Sequence, residues 1–404
     1  MKLIEPKVRG FLCTTAHPLG CKTHVKKQIE QVLTQGLDNN QQTSPKRVLI
    51  IGGSAGYGLS SRIVCAAGYG AKTLSVALEK PPQENRPGSA GWYNNYFLEQ
   101  WISEQSGEAY SINGDAFSLA TKQQTLEMIE SQFGQVDLVV YSLAAPRRIK
   151  VAAETGNAQT YQSVIKPIGQ SFEGPSIDTV SGKLKSVELP PATVDEIDHT
   201  VAVMGGEDWF DWIKLLSDRG LIAEQFQTVA FSYLGGELTK AIYGAATLGA
   251  AKQDVENYCQ EINNLLACDR ETVKARVAVL KAIVTQSSAA IPSLPLYISA
   301  LYQVMKEEGN HEGCIEQILR LFNQGLYSTS VQCRSDRAYR LRLDDEELKP
   351  HIQNKVKHLW DQVSQQNLTE ITDFEGYRSD FLKLFGFAWS EVDYSQPVSC
   401  IPDH

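Results

Sequence analysis

Apolar residues in this chain alternate between short unbroken runs and helical stripes, and that alternation sets the expected fold class. Val25, Ile29, Val32 and Leu33 recur at helical spacing with Gly36 as a stop, which predicts a covering helix. After a polar loop with Asn39, Asn40 and Pro45, Arg47-Val-Leu-Ile-Ile51 reads as a fully buried strand of the kind parallel sheets use. Thr73-Leu-Ser-Val-Ala-Leu78, Tyr110-Ser-Ile-Asn113 and Val136-Asp-Leu-Val-Val-Tyr-Ser142 repeat that pattern. Between them, helices are expected from the segment Trp92 to Phe97 and from Leu126, Ile129 and Phe133. Strands alternating with helices predict an α/β protein with a doubly wound parallel sheet, a Rossmann core that binds its ligand at the strand C-termini.

From Arg147 to about Pro191 the chain turns polar and rich in glycine, serine and proline, with β-like runs at Gln162 to Ile165 and Lys183 to Leu189. It reads as an insertion over the sheet edge rather than an independent domain. Val201 to Ile213 is expected to enter a helix running through Leu216, and Gln227 to Tyr233 is expected to be a strand. Leu296 to Met305 and Cys314 to Phe322 predict apolar helices, and Tyr339 to Leu343 alternates as a strand. Asp344-Asp-Glu-Glu347 is expected to open an amphipathic helix, its acids suiting the N-terminal dipole. The expected organisation is one compact domain over 1–404. Its dinucleotide-binding core spans 45–290 with an insertion at about 147–200, and 1–44 and 291–404 cover the substrate cleft.

A formal charge of −9 argues against nucleic acid or an anionic membrane as the main partner and leaves room for a small anionic ligand in a local basic pocket. Charge and proline break every apolar run in Met1 to Arg9, so no signal peptide is expected there. No stretch approaches the ~18 apolar residues of a membrane span. Cysteines scattered at positions such as Cys65, Cys268 and Cys400 read as reduced thiols, which fits a soluble cytoplasmic enzyme. Cys13, His17, Cys21 and His24 have superficially zinc-like spacing but lack paired ligand knuckles, so no metal is expected. They read instead as part of a loop beside the active site.

Candidate chemistry begins where the first strand runs into Gly52-Gly-Ser-Ala-Gly56-Tyr-Gly58. A glycine-rich turn at a helix N-terminus lets backbone amides approach a pyrophosphate, with the helix dipole adding to the attraction. The second strand is closed by Glu79, about twenty residues further on, where a carboxylate can accept both ribose hydroxyls and repel a 2′-phosphate. NADH is therefore favoured over NADPH. The stretch from Phe231 to Lys252 carries two tyrosines and two lysines among glycines and small residues. A tyrosine hydroxyl can donate to a developing oxyanion, and a nearby ammonium can lower the tyrosine's pKa and hold a cofactor ribose.

These residues together carry a resemblance. Gly53-Ser-Ala-Gly-Tyr-Gly58, Gly91-Trp-Tyr93, Tyr141-Ser-Leu-Ala-Ala-Pro146, Met204-Gly-Gly-Glu-Asp-Trp209, Ser232-Tyr-Leu-Gly235 and the pair Tyr243 and Lys252 resemble the FabV-type enoyl reductases, which include bacterial trans-2-enoyl-CoA reductases. The likeness runs the length of the chain, through Lys7 to Phe11 and Thr14 to Pro18, Val284-Thr-Gln286, Pro295-Leu-Tyr297 and His311 to Gln317. It implies an enlarged short-chain dehydrogenase/reductase fold and NADH-dependent reduction of the double bond of an enoyl thioester on CoA or acyl carrier protein. Carried over, Tyr243 is the proton donor, Lys252 binds NADH and Tyr233 contacts the thioester carbonyl. The cofactor then touches Gly52, Gly53, Ser54, Ala55, Gly56, Tyr57, Leu78, Glu79, Asp115, Ala116, Leu143, Ala144, Val284, Thr285 and Gln286. Extra segments able to cover the sheet edges make a monomer the expected state.

Spacing leaves an open question. Nine residues at ~100° each put Tyr243 and Lys252 on opposite faces of a straight helix, whereas Tyr233 and Lys240, seven apart, share one. Either Tyr233 and Lys240 form the pair, or Tyr243 precedes the helix on an irregular segment eased by Gly244 and Gly249; the resemblance favours the second. A short-chain carbonyl reductase is the nearest alternative enzyme, but its lysine would usually stand four residues after the tyrosine, where this chain has Thr247. A non-catalytic dinucleotide sensor would have no need for both tyrosines and Lys252.

Overall fold

The computed structural model describes residues 1–37, 44–151, 156–267, 274–327, 334–337 and 339–402; Asn39, Asn40 and Cys268 lie outside them. The apolar runs are the buried strands. β1 (Arg47–Ile51), β2 (Lys72–Ala77), β3 (Ala109–Asn113), β4 (Val136–Tyr141), β5 (Ile222–Ser232), β6 (Lys274–Val279) and β7 (Arg340–Arg342) form one parallel sheet in the order β7-β6-β5-β4-β1-β2-β3. Arg334–Arg337 adds an antiparallel edge beside β7. Strand order reverses between β1 and β4, and such a switch point opens a crevice at the strand C-termini.

Alternation along β1 feeds two layers. Val48 and Ile50 pack with Val25 and Ile29 of α1 (Pro18–Gln35) and with Leu59 and Ile63 of α2 (Gly56–Ile63). Leu49 and Ile51 join the opposite layer. There lie Leu126 of α4 (Leu119–Met128), Trp209 and Trp212 of α6 (Glu207–Asp218) and Val255 and Ile262 of α7 (Thr247–Ala267). Each completely buried Val, Ile or Leu side chain contributes about 1.5–3 kcal/mol, so these two layers dominate the stability of the sheet. α3 (Ala90–Glu104) follows β2, and α5 (Val194–Met204) precedes α6.

A third apolar cluster surrounds α8 (Leu294–Glu307). It takes Ile352 and Val356 from α10 (Pro350–Gln362), Phe374, Tyr377 and Phe381 from α11 (Phe374–Lys383), and Tyr243 and Val284 from the ends of the core. α9 (Cys314–Leu321) packs instead beside α2.

Several elements differ from the sequence expectation. The first helix begins at Pro18, not near Val25, with His17 as its cap: His17 Nδ1 accepts from Gly20 N at 3.3 Å. From Pro18 on this region is helix rather than loop: His17 packs against Phe387 and Tyr394, and Cys21 packs with Tyr93 and Phe97 on the side of Glu79. The expected helix from Val201 onward is two helices, broken at Gly205 and Gly206; a Cβ on Gly206 would sit 2.6 Å from Tyr258 Cβ, so the break seats α7. The polar insertion is two hairpins, Arg147–Val151 with Ala158–Gln162 and Phe172–Ile177 with Leu184–Leu189. It does not cover the sheet edge, because Lys166 to Ile168 pair with Ala245 to Thr247 beyond the end of β5. Asp344 to Glu347 do not open a helix: α10 starts at Pro350, whose ring disfavours helical geometry at Lys349. Asp344 and Glu347 are instead buried.

Candidate active site

The turn after β1 is backbone packed on backbone. A Cβ on Gly52 (φ +84°) would lie 2.4 Å from Ser142 O, and one on Gly58 would lie 2.1 Å from Gly52 O. Only glycine allows β1 and the end of β4 to close this tightly, and α2 then starts at Gly56 with its free N–H groups at the mouth of the switch-point crevice. Asn94 of α3 donates to Ser54 O at 3.0 Å and fixes the turn from the other side. The cradle fits a pyrophosphate.

Glu79 stands at the end of β2, held in place rather than solvated. Ser54 Oγ donates to its Oε1 at 2.6 Å and Ser89 Oγ to its Oε2 at 2.5 Å, while Asn113 bonds both its N–H and its C=O. Gly91 is required here, since a Cβ would lie 2.0 Å from Glu79 Oε1. The carboxylate keeps unused lone pairs for ribose hydroxyls. Leu78 beside it is exposed and Ala116 is buried, while Asp115 Oδ1 caps the following turn by accepting from Phe117 N at 3.0 Å. Leu143 is part-buried and Ala144 exposed just beyond the end of β4. Thr285 caps the short helix Gln286–Ala289, and a Cβ on Gly56 would sit 3.7 Å from Thr285 Cγ2, so the Val284-Thr-Gln286 turn lies against the glycine-rich loop. Tyr57 turns its ring away from the loop, onto Phe231, and donates to Lys281 O at 3.1 Å, leaving its backbone for a cofactor.

β5 ends at Ser232 and releases Tyr233 at the strand C-terminus. The segment after it is a 3-10 turn, Glu237–Thr239, followed by irregular turns that carry Tyr243, and α7 begins only at Thr247. Tyr243 therefore precedes the regular helix, and the opposite-face objection does not apply. Gly249 makes this possible: a Cβ there would lie 2.0 Å from Gly244 O and 2.7 Å from Tyr243 O. Lys252, in the second turn of α7, donates to Phe231 O at 3.0 Å, one residue from the strand end. Burial brings its pKa down to about 8. Tyr233 and Tyr243 meet edge to face with ring centroids 4.8 Å apart. Burial pushes both hydroxyls up, Tyr243 with no other cause. The protein surroundings thus do not lower the tyrosine pKa as the sequence led us to expect; they keep the hydroxyl protonated, as a donor must be. Lys240 is exposed and lines a cleft of about 620 Å³ with Leu234, Gly236, Gly244, Leu348 and Gln353.

Residues 86–327 match the family model described as the trans-2-enoyl-CoA reductase catalytic region, and residues 3–84 match the NAD(P)H binding domain of trans-2-enoyl-CoA reductase. The chain belongs to the trans-2-enoyl-CoA reductase family. The enoyl-[acyl-carrier-protein] reductase [NADH] of Burkholderia multivorans is 50% identical over 98% of this chain and 96% of its own length. That of Methylobacillus flagellatus is also 50% identical, over 98% and 97%. Among solved structures, the Clostridium acetobutulicum trans-2-enoyl-CoA reductase in complex with NADH superposes with a TM-score of 0.92 at 39% identity, and the Treponema denticola enzyme in complex with NAD with 0.91 at 41%, each covering 98% of both chains.

Residues 335–398 match a model described as an enoyl reductase FAD binding domain. In this family member the apolar side chains of that stretch, Ile352, Val356, Phe374, Tyr377 and Phe381, are consumed by packing around α8, and the described residues there do not fit an isoalloxazine ring. The same stretch does supply one residue that the sequence reading missed. Glu347, fully buried, accepts from Tyr233 Oη at 3.0 Å and Tyr297 Oη at 2.7 Å on Oε1, and from Ala282 N at 2.6 Å on Oε2. Nothing in the spacing of an acidic run marks one member as the partner of a tyrosine 114 positions away. Thr247, where the carbonyl reductase pattern needs lysine, is buried and donates to Val164 O at 2.5 Å.

Proposed function

We propose that Tyr233, Tyr243 and Lys252 carry the NADH-dependent reduction of the trans-2 double bond of an enoyl thioester to the saturated acyl thioester. The observation that carries this reading is the meeting of both tyrosine rings at the end of β5, with Lys252 bonded one residue away and the glycine-rich cradle on the neighbouring side of the switch point. NADH, when bound, supplies the hydride that reduces the β-carbon. Gly52, Gly53, Ser54, Ala55, Gly56 and the Tyr57 backbone would hold its pyrophosphate, and Glu79 the adenosine ribose beside Leu78. Asp115 and Ala116 would border the adenine, Leu143 and Ala144 with Val284, Thr285 and Gln286 the nicotinamide half, and Lys252 its ribose.

The residues of the chain then manage charge. As the β-carbon is reduced, negative charge moves onto the thioester oxygen, and a hydroxyl aimed there stabilises the enolate; one such donor is worth ~10²–10³ in turnover. Tyr233 is assigned to that oxygen and Tyr243 to proton donation, which completes the reduction at the α-carbon. Tyr243, buried within the apolar cluster around α8, and the part-buried Tyr233 packed against that cluster limit the access of water that would weaken these bonds.

The same reading takes the chain as one domain around the 45–290 core, a monomer in the cytoplasm, acting in fatty acid synthesis. It is supported by β7, which brings residues beyond 290 into the sheet, and by the bridge between Lys2 and Val398, which ties the chain's two covering segments together. No helix among the described residues is long and apolar enough to cross a membrane. Mixing the purified protein with NADH and crotonyl-CoA tests the assignment. NADH consumption with loss of the enoyl absorbance is expected. NADH binding without turnover on enoyl thioesters or carbonyl compounds would overturn it. Rates on matched CoA and carrier-protein substrates then assign the carrier.

A further inference from the structure

Tyr233 has one proton to donate, and in this structure it faces the wrong acceptor. Its hydroxyl lies 3.0 Å from Glu347 Oε1, so an ionised Glu347 takes the proton that the thioester oxygen would need. Oε2 of Glu347 is occupied by Ala282 N–H, which can only donate, and so a proton on this carboxyl must sit on Oε1. Of the two hydroxyls at Oε1, Tyr297 already accepts from Gln353 Nε2 at 3.0 Å, while Tyr233 has only a long contact to Thr239 Oγ1, at 3.4 Å. A proton on Oε1 is therefore donated to Tyr233.

We propose that Glu347 is a positioning residue for Tyr233: protonated, it donates to the tyrosine oxygen and frees the tyrosine proton for the thioester carbonyl; ionised, it withdraws that proton. The inference rests on the reading of Tyr233 as the carbonyl donor. Complete burial of Glu347 raises its pKa and so favours the neutral form, against the hydrogen bonds and the Lys281 charge that favour the ionised one. The titratable groups facing it are Tyr233 from the end of β5, Lys281 from the end of β6, Tyr297 from α8 and Tyr57 from α2, with Glu312, Glu316 and Arg320 behind Lys281. Burial holds the tyrosines well above their ordinary range, and Lys281 comes down to about 8. Lys281 and Lys252, which also comes down to about 8, are the groups that a pH effect must be separated from, and saturating NADH removes the effect of Lys252 on binding.

Substitution by glutamine separates them. Ala282 N–H requires the amide oxygen at the Oε2 position, which puts the NH₂ where Oε1 stood, as a permanent donor to Tyr233. Turnover of crotonyl-CoA at saturating NADH is measured from about pH 5 to about pH 10 on the unaltered chain and on Glu347→Gln, Lys281→Met, Tyr297→Phe and Tyr233→Phe. The unaltered chain should lose turnover as pH rises and Glu347 ionises. Glu347→Gln should lower the plateau by less than about tenfold and lose that fall, with NADH binding intact. Lys281→Met and Tyr297→Phe remove a cation and a donor that favour the ionised form, so each should keep the fall and move it to higher pH. Glu347→Gln that follows the unaltered profile, or that loses ~10² at every pH while still binding NADH, overturns the proposal. If Glu347→Gln does not fold, an unmoved fall in Tyr297→Phe overturns it equally. Tyr233→Phe with undiminished turnover would instead defeat the role given to Tyr233, and the two failures are distinct.

Discussion

Tyr233 and Tyr243, ten positions apart, meet edge to face with centroids 4.8 Å apart and an 83° angle between the rings. The contact brings a strand end and an irregular turn to one point, and it gives the two hydroxyls separate surroundings. Tyr233 is tied to a buried carboxylate, whereas burial alone acts on Tyr243. Tyr243→Phe should lower turnover by ~10²–10³ while leaving the NADH dissociation constant within about twofold. Steady-state kinetics with NADH titration checks both halves.

Lys252 makes a pH-dependent prediction. Its folded pKa, brought down to about 8 by burial, means that the cation is present below that value and lost above it. NADH should bind more weakly as pH rises through about 8, by roughly tenfold, the scale of one charge-assisted bond. Lys252→Met should bind weakly at every pH, with a flat profile. Lys240→Met, altering an exposed side chain, should leave NADH affinity unchanged; calorimetric titration that finds the loss in Lys240→Met instead would move the role to that residue.

Gly249→Ala tests the turn itself. The new methyl would lie 2.0 Å from Gly244 O, and backbone on both sides cannot yield cheaply. A cost of about 1–3 kcal/mol in stability is expected, with turnover reduced because the segment carrying Tyr243 is displaced. Thermal unfolding and turnover measured on the same sample read the two effects.

At Glu79, the carboxylate held by Ser54 and Ser89 should discriminate between cofactors by charge. Glu79→Ser should weaken NADH by roughly tenfold and narrow the gap to NADPH by more than that, since the repulsion of the 2′-phosphate is removed along with the ribose acceptor. Competition between the two nucleotides at equal concentration measures the ratio.

The parallel core was legible because its signal is local. Unbroken apolar runs such as Val48 to Ile51 in β1 and Leu138 to Val140 in β4 are dictated by burial on both sheet faces, and the glycine-rich turn follows from spacing. The irregular Tyr243 segment was only half legible. Helical periodicity argued for Tyr233 with Lys240; Gly244 and Gly249 marked the alternative, but the close local approach of Gly249 to Gly244 O that decides it is not something periodicity encodes. Asp344 to Glu347 misled for a related reason: acids before an amphipathic stripe resemble a helix start, yet Pro350 delays the helix. Glu347 is drawn inward by a tyrosine far away in sequence, and Asp344 by Arg342 two residues back. The insertion was recognised by composition but not located, since its docking depends on backbone bonds between Lys166 and Thr247.

An isotope experiment tests most directly whether hydride reaches the β-carbon of an enoyl thioester while a tyrosine holds the enolate. Crotonyl-CoA is reduced with NADH carrying deuterium at the transferred position, and the product is analysed by mass spectrometry and proton NMR. The expected product is butyryl-CoA with deuterium at the β-carbon only and a solvent-derived hydrogen at the α-carbon, with the same labelling pattern formed far more slowly by Tyr243→Phe. Deuterium at the α-carbon or on a reduced carbonyl carbon, or an unreduced thioester despite saturating NADH, would contradict it.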